Sequence, residues 1–502
     1  MEPTNQQLLA SVRKTLAERI APQVAAGDAS HLLGTVLMTL DELVRREENG
    51  LAARQALLDK LTALVQRGEA LARCNADATA ESAWPQRPAE LIPRQEPEAS
   101  IDIEWRRLAA LVTVLLKARN ERPDAASREA IQAFLVDVAR TETAQKKVAR
   151  PEAAATAADT PMEELFAALT PKLAKRLGGG ANFAIHAIKQ LAGGFSNQTY
   201  KLMVGESAET ARPIVIRIAR NNSIQWPFTT SLEEELPFIE LAHASGLPVP
   251  RQLWLETDKS LLGGMFHVMD YVPGGLRGSH MAAHGEVSDT LIRNCADVLA
   301  KMHRMPWQSW VGKLPARIVP RADLTINDSI DLILLRMRTY LDAAWLSPSP
   351  VILMLFDWLE RNRPVSEAPP VVTHGDLGFH NWLFEGDTPT AVLDWENVAL
   401  CGATKDIANV QDCLIPAKQW DYFLECYVKA GGSPPVQSEL RFYAVLRQIQ
   451  AIICCASSME KMFTAVAPLT IDFLELGFGA REYFYVEVEK QIADIVGFTA
   501  SA

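Results

Sequence analysis

The sequence predicts an α+β chain: a separate all-helical module, then a bilobal domain with a β-rich first lobe and a helical second lobe. Three observations carry this. In the first 150 residues, apolar side chains recur at helical spacing. From about residue 162 to 272, runs of β-branched and aromatic residues are punctuated by Gly, Pro, Asn and Asp. From Pro273 onward the pattern is again mostly helical.

Within the first module, Leu8, Leu9, Val12, Leu16 and Ile20 form a stripe ended by Pro22. Leu33, Val36, Leu37, Leu40, Leu43 and Val44 form a second, ended by Asn49-Gly50, and Leu57, Leu58, Leu61, Leu64 and Val65 a third. The stretch ESAWPQRPAELIPRQEPEAS carries prolines at 85, 88, 93 and 97. Proline lacks a backbone donor and breaks helices, so this reads as an extended connector. A helical pair follows, roughly 101–120 and 125–145, and then a linker near 145–161. The expected division is a helical module over 1–150, a linker over 151–161, a first lobe over 162–272 and a second over 273–502. AIHAIKQL, QTYKLMV, PIVIRIA, RQLWLE and MFHVMDYV read as strands of the first lobe, interrupted by one helix at about 230–245. In the second lobe, VVTHGD and TAVLDW read as a short apolar strand pair. The crevice between such lobes is the natural ligand site.

Composition narrows the function. The 502 residues are 48% hydrophobic, enough to bury a core, and carry a net charge of −11. An acidic balance disfavours nucleic acid and anionic membrane as partners, because both reward clustered Lys and Arg. The start, MEPTNQQ, has no basic stretch running into an apolar one, so no secretory signal is expected. The run Leu108 to Leu116 is too short to cross a bilayer. Seven cysteines without a CxxC pair fit reduced thiols in a cytoplasmic protein.

The chemistry-bearing segment is His374-Gly375-Asp376-Leu377-Gly378-Phe379-His380-Asn381, with Asp394 ending TAVLDW. Phosphoryl transfer needs an acceptor hydroxyl held in line and Mg²⁺ to neutralise developing charge. A carboxylate at Asp376 can orient the hydroxyl and take its proton. The amide oxygen of Asn381 and the carboxylate of Asp394 offer the oxygen donors that Mg²⁺ prefers. On these residues the sequence resembles the aminoglycoside phosphotransferase and choline kinase family of protein-kinase-like small-molecule kinases, whose HGDxxxxN loop and later Asp it matches residue by residue.

That resemblance implies a protein-kinase-like fold, ATP and Mg²⁺ as cofactors, Asp376 as base, and Asn381 and Asp394 as metal ligands. It makes His374 a support of the loop and Asp406, in CGATKDIANV, its brace. Glu396 is either a second Mg²⁺ contact or a supporting residue, and His380 is expected to face solvent or the acceptor. Upstream, Gly193, Gly194, Phe195, Ser196, Asn197 and Thr199 lie in a segment whose glycines let backbone approach phosphates. Arg217, in PIVIRIA, stands where the kinase pattern has a phosphate-pairing Lys, with Lys201 able to assist. Of Glu233, Glu234 and Glu235, the last best fits the spacing of its partner. Met269, Asp270, Tyr271 and Val272 resemble the interlobe hinge whose backbone binds adenine.

Only a short stretch separates Asp394 from Asp406, which leaves no room for a protein-kinase activation segment, and the loop reads HGD where protein kinases have HRD. A small-molecule alcohol is therefore the expected acceptor. Trp420, Tyr422, Phe423, Tyr427 and Phe473 are candidates for its wall, though most should be core. GGFSNQTY, LPVPRQLWLETD and FHVMDYVPGG most resemble the branch associated with acyl-CoA dehydrogenases, which includes kinases of 4-hydroxyacyl-CoA. This implies a CoA thioester as acceptor. An aminoglycoside, choline or sugar acceptor and a catalytically silent nucleotide-binding scaffold are the rivals. The N-terminal module resembles a small helical partner of such kinases, which implies packing on or near the kinase domain. A role in dimerisation, giving a homo-oligomer, competes with it.

Overall fold

A computed structural model describes residues 11–14, 16–21, 36, 37, 40, 50–75, 98–121, 124–146, 162–191, 197–219, 228–278, 287–344, 349–413, 415 and 417–464. Parts of the first two helical stripes, most of the proline-rich connector and nearly all of the linker lie outside the described residues. Contacts divide the chain into two compact units that do not follow chain order. One joins the described N-terminal residues to 338–363 and to those from Gln448 onward; the other comprises 159–337 and 364–447.

The N-terminal helices are α1 (Gly50–Asn75), α2 (Glu98–Glu121) and α3 (Ala125–Lys146). Leu61, Leu64 and Val65 on α1, Leu108, Val112 and Leu115 on α2, and Phe134, Leu135 and Val138 on α3 are buried, the spacing of helices that share one apolar stripe. A helix that the strand-rich reading does not include, α4 (Met162–Leu177), precedes the first sheet. Pro171 inside it obscures the signal, but Phe166, Leu169 and Leu173 recur at spacings of three and four residues and are fully buried.

Five antiparallel strands follow, β1 (Ala184–Leu191), β2 (Asn197–Gly205), β3 (Arg212–Ala219), β4 (Gln252–Glu256) and β5 (Phe266–Asp270), in the order β1-β2-β3-β5-β4. Side chains alternate between faces along a strand. Tyr200, Leu202, Val204, Ile214, Ile216, Ile218, Phe266 and Val268 take one face and form a core with Phe166, Leu169 and Leu173. The opposite face carries Thr199, Arg217 and His267 in a single cross-strand row, because Thr199 pairs with Arg217 and Arg217 with His267. Between β3 and β4 runs α5 (Leu232–Ala244), begun by a capping box in which Ser231 and Glu234 satisfy each other's backbone N–H groups.

The chain then enters the helical lobe through β6 (Gly275–Leu276), α6 (Asp289–Met302) and α7 (Ile326–Ala344). The next helix, α8 (Pro350–Arg361), belongs to the first unit. Its buried Val351, Ile352, Leu355 and Leu359 supply apolar surface. Glu142 of α3 accepts from Val351 N at 2.9 Å, and buried Arg119 of α2 pairs with Asp357 at 2.7 Å. These contacts draw 350–361 to the N-terminal helices.

The remaining elements are β7 (Val371–Thr373), β8 (Trp382–Glu385), β9 (Thr388–Val392), β10 (Ala399–Cys401), α9 (Thr404–Cys413), α10 (Trp420–Lys429) and α11 (Gln437–Thr464). The expected pairing of VVTHGD with TAVLDW does not occur. β9 pairs with β8, and β7 with β10. The two-residue link Gly386-Asp387, with Gly386 at φ +57°, joins β8 to β9 as a local hairpin. That closure is entropically cheaper than the longer excursion to β7.

Candidate active site

The loop from His374 to Asn381 is held from beneath by α9. Asp406, fully buried, accepts from the backbone N–H groups of His374 and Gly375, each at 2.8 Å, and lies 3.2 Å from His303 Nε2. Burial opposes the Asp406 charge, but His303 and Lys405 outweigh it and keep the carboxyl below its ordinary pKa. Asn409, one helical turn on, accepts from Leu377 N. Gly375 sits at φ +84°, and a Cβ there would lie 2.6 Å from Asn397 O, so only glycine fits. His374 donates Nε2–H to Leu393 O at 2.8 Å, and its Nδ1 faces Asp376 N at 3.3 Å. Burial lowers its pKa. A neutral ring that orients the loop accounts for both bonds.

This scaffold presents Asp376, partly exposed. Asn381 Nδ2 donates to its carbonyl oxygen at 2.9 Å and to Oδ2 at 3.0 Å, and His380 Nε2 lies 3.2 Å from the same Oδ2. His380 does not simply face solvent: its side chain is 11% exposed and folds back over Gly378, where a Cβ would strike the ring. With Trp382 opposite Val392, Asn381 and Leu393 leave the hairpin at one end, and Leu393 N donates to Asn381 O at 2.8 Å. Asp394 follows at once, with φ +62°, a left-handed conformation that Asp tolerates better than most residues.

Across the row on the first sheet, Arg217 places its fork among three carboxylates. Nη1 donates to Glu235 Oε1 at 2.9 Å and Oε2 at 3.3 Å, Nη2 donates to Asp394 Oδ1, and Glu396 Oε2 is 3.7 Å from Nη2. Burial works against the guanidinium, yet Glu235, Asp394 and Glu396 together raise its pKa above the ordinary arginine value. Burial pushes the Glu235 carboxyl up to about 7, with Arg217 pulling the other way. Glu234 instead caps α5 and pairs with Arg317 at 2.7 Å, and Glu233 is exposed. Thr230 ties this region to the Asp394 turn, its N–H donating to Glu396 O at 2.7 Å.

Of the glycine-rich segment, Gly193, Gly194, Phe195 and Ser196 lie outside the described residues. Asn197 and Thr199 open β2, Thr199 directly opposite Arg217. Met269 and Asp270 end β5, where Asp270 accepts from Arg251 Nε at 2.7 Å. Tyr271 and Val272 follow, half-buried, and Lys201 Nζ stands 3.8 Å from the centre of the Tyr271 ring. Lys201 is thus directed to this connection, and no bond joins it to the Arg217 cluster. Phe423 and Tyr427 are fully buried, and the Tyr427 hydroxyl lies 2.7 Å from His303 Nδ1, so this aromatic stabilises the support of the loop. Phe473 is outside the described residues. Sequence reasoning missed His303, Asn409 and Thr230. The i, i+3 spacing of Asp406 and Asn409 on α9 was a usable signal, whereas nothing local marks the other two.

The donor set suits a hard cation. Asn381 commits Nδ2 to Asp376, which leaves Oδ1 as its available oxygen, and Asp394 engages Arg217 through one oxygen only. Among the described residues no group of three or more His, Cys, Asp or Glu is arranged to hold a metal. A pair of oxygen donors is the sparse provision typical of Mg²⁺ held jointly with substrate phosphates and water.

A model of the APH family, described as a phosphotransferase enzyme family, matches residues 187–443, just over half of the chain. The chain belongs to the phosphotransferase enzyme family. This phosphotransferase has a kinase-like α+β fold. It is similar to acyl-CoA dehydrogenase family member 11 of Gallus gallus, with 26% identity over 220 residues, 42% of this chain and 26% of that protein. Family member 10 of Mus musculus is 26% identical over 43% of this chain and 19% of its own length. The probable acyl-CoA dehydrogenase IBR3 of Arabidopsis thaliana is 23% identical over 44% of this chain and 27% of its length. The matched stretch thus spans only 19% to 27% of these relatives. Among solved structures, macrolide 2′-phosphotransferase type I aligns at TM-score 0.43 and 16% identity, covering 62% of the phosphotransferase and 100% of that chain. A mutant of aminoglycoside phosphotransferase APH(4)-Ia in complex with ADP and hygromycin B aligns at TM-score 0.42 and 16% identity, covering 67% and 100%. No helix among the described residues is long and apolar enough to cross a membrane.

Proposed function

We propose that the phosphotransferase uses ATP and Mg²⁺ to phosphorylate the hydroxyl group of a hydroxyacyl-CoA. The observation that carries the phosphotransfer is the juxtaposition of Asp376, Asn381, Asp394 and Arg217 at the mouth of one hairpin. Asp376, held by Asn381 and His380 through Oδ2, aligns the acceptor hydroxyl and takes its proton. The hydroxyl oxygen forms its bond to the γ-phosphorus as the bond to the bridging β–γ oxygen breaks, and ADP leaves. Asn381 and Asp394 would hold Mg²⁺, which supplies charge neutralisation at the phosphates. Arg217, positioned by Glu235, contributes a planar fork to the same phosphates, and the hinge from Met269 to Val272 offers backbone groups to the base. The acceptor class rests on the acyl-CoA dehydrogenase names of the relatives. Phosphate turns a hydroxyl into a leaving group, which makes a kinase and a dehydrogenase chemically sensible companions.

The test is ADP release with ATP, Mg²⁺ and a panel of hydroxyacyl-CoAs, amino sugars and choline. Release dependent on a hydroxyacyl-CoA is expected. Turnover only with an amino sugar or choline would transfer the acceptor assignment to that class, and silence across the panel would favour a nucleotide-binding scaffold. Asp376→Ala is expected to lower turnover by about a thousandfold, within the range for a lost general base, while ADP binding persists. Turnover that survives the substitution removes the role given to Asp376.

A further inference from the structure

The start of α5 is gripped by a second arginine, one that the phosphotransfer chemistry does not use. Arg317 closes a two-pronged ion pair on Glu234: Nε donates to Oε1 and Nη2 to Oε2, each at 2.7 Å. The same Nη2 donates to Thr229 O at 3.0 Å, so one guanidinium spans the chain on both sides of the Ser231 cap. Arg317 is itself firmly placed, between α6 and α7 in the helical lobe. It sits in a tight turn where Pro315 O accepts from Ile318 N at 2.9 Å and Val319 N at 2.8 Å, and both of those apolar side chains are buried. Arg317, α5 and the Asp394 turn all belong to one compact unit.

The grip falls between two contacts with the charged cluster. On one side Glu234 is followed by Glu235, which accepts from Arg217 at 2.9 Å. On the other, Thr230 donates to Glu396 O through its N–H at 2.7 Å and its hydroxyl at 3.2 Å. The side chains of Arg317 and Glu234 are 38% and 26% exposed, a setting in which an ion pair adds little to stability. Its use is placement, because a planar fork against a carboxylate fixes direction as well as distance. Arg321, on the same stretch of chain, pairs instead with Asp328 at 2.6 Å and Asp323 at 3.0 Å, both close to it in sequence. We infer that Arg317 is a positioning residue of the phosphotransferase. By clamping the start of α5 to the helical lobe it holds Glu235 against Arg217, and through Glu235 it sets where the Arg217 fork meets the nucleotide phosphates. This inference rests on the phosphotransfer reading and adds the residue that aligns Arg217 from outside its cluster.

Two readouts on the full-length chain separate the clamp from the reaction. Amide hydrogen exchange over residues 229–235 reports the clamp without nucleotide, and calorimetric titration with ADP and Mg²⁺ reports its consequence. Arg317→Ala should speed exchange at the Thr230 and Glu235 amides, which are bonded to Glu396 O and Ser231 O. It should also weaken ADP binding by about fivefold or more, the lower end of coupling between linked sites. Arg317→Lys keeps the charge without the fork and should fall between that variant and wild type. Arg321→Ala, which loses an exposed pair that does not reach α5, should match wild type in both. In turnover with a hydroxyacyl-CoA, Arg317→Ala should raise KM for ATP and leave KM for the acceptor unchanged. Exchange that stays at the wild-type rate in Arg317→Ala overturns the clamp. Faster exchange with undiminished ADP affinity, a change confined to the acceptor KM, or equal effects from Arg321→Ala each overturn the positioning role. A wild type that binds no ADP removes the phosphotransfer reading and the nucleotide role of the clamp together, whereas ADP held equally by wild type and Arg317→Ala removes the clamp's role alone.

Discussion

Asp406 and Arg217 are both charged groups largely withdrawn from water, and the molecule keeps them charged by different means. Asp406 is surrounded by donors: two consecutive backbone N–H groups of the loop it braces, and the His303 ring behind it. Arg217 is surrounded by three carboxylates from two places in the chain, Glu235 on α5 and Asp394 and Glu396 after β9. The first arrangement fixes backbone, so it sets the shape of the loop. The second fixes side chains against one another, so it sets relative charge positions and can be rearranged when phosphate arrives. Buried carboxylates that accept amide hydrogens are rigid supports, whereas ion clusters of excess negative charge are places where a ligand can enter.

Removing the support should do the most damage. Asp406→Ala leaves the His374 and Gly375 N–H groups without their acceptor in a buried setting. A loss of about 3 kcal/mol or more is expected in chemical denaturation, together with turnover too low to detect. A variant that melts and turns over like wild type would mean that the loop holds its own shape.

Next comes pH, read at His267 in the Arg217 row. Its ring is buried, its Nε2 is 2.8 Å from Leu232 O, and burial, followed by the Arg217 charge, lowers its pKa to about 4. The unfolded chain binds this proton near pH 6.5 and the folded chain does not until about pH 4, so His267 costs stability increasingly as pH falls through that window. By linkage the cost reaches up to about 3 kcal/mol. Against wild type, His267→Phe should therefore gain relative stability between pH 7 and pH 4. Parallel pH profiles for the two proteins would show that His267 is protonated alike in both states.

The smallest effect is expected from Arg217→Lys. An ammonium keeps the charge but cannot offer separate nitrogens of one plane to Glu235 and Asp394. Stability should drop by about 1–2 kcal/mol, and turnover should fall by less than about tenfold, since an ammonium also neutralises phosphate. A collapse as severe as that of Asp406→Ala would erase the distinction between support and ion cluster.

How much was legible follows from the same distinction. The 374–381 loop and Asp394 could be read from the chain because their geometry depends on nearby residues in sequence: Gly375 for its left-handed turn, Asn381 five residues past Asp376. The first-lobe strands were legible through alternation. α4 was not, because Pro171 sits inside its amphipathic pattern, and the partner of TAVLDW was misassigned because period and composition do not say which strand an edge will meet. His303 reaches Asp406 across 103 positions and carries no local mark.

By itself the sequence determined the elements whose reasons are local: the apolar faces of the helices, the alternation of the first sheet, and the loop whose residues bond to one another within a few positions. Tertiary structure alone decided that helix 350–361 joins the N-terminal helices and that Glu234, next to Glu235, turns instead to Arg317. Those outcomes depend on which surfaces meet after the chain has folded back on itself, and pairwise charge and packing at such distances leave no periodic trace in the order of residues.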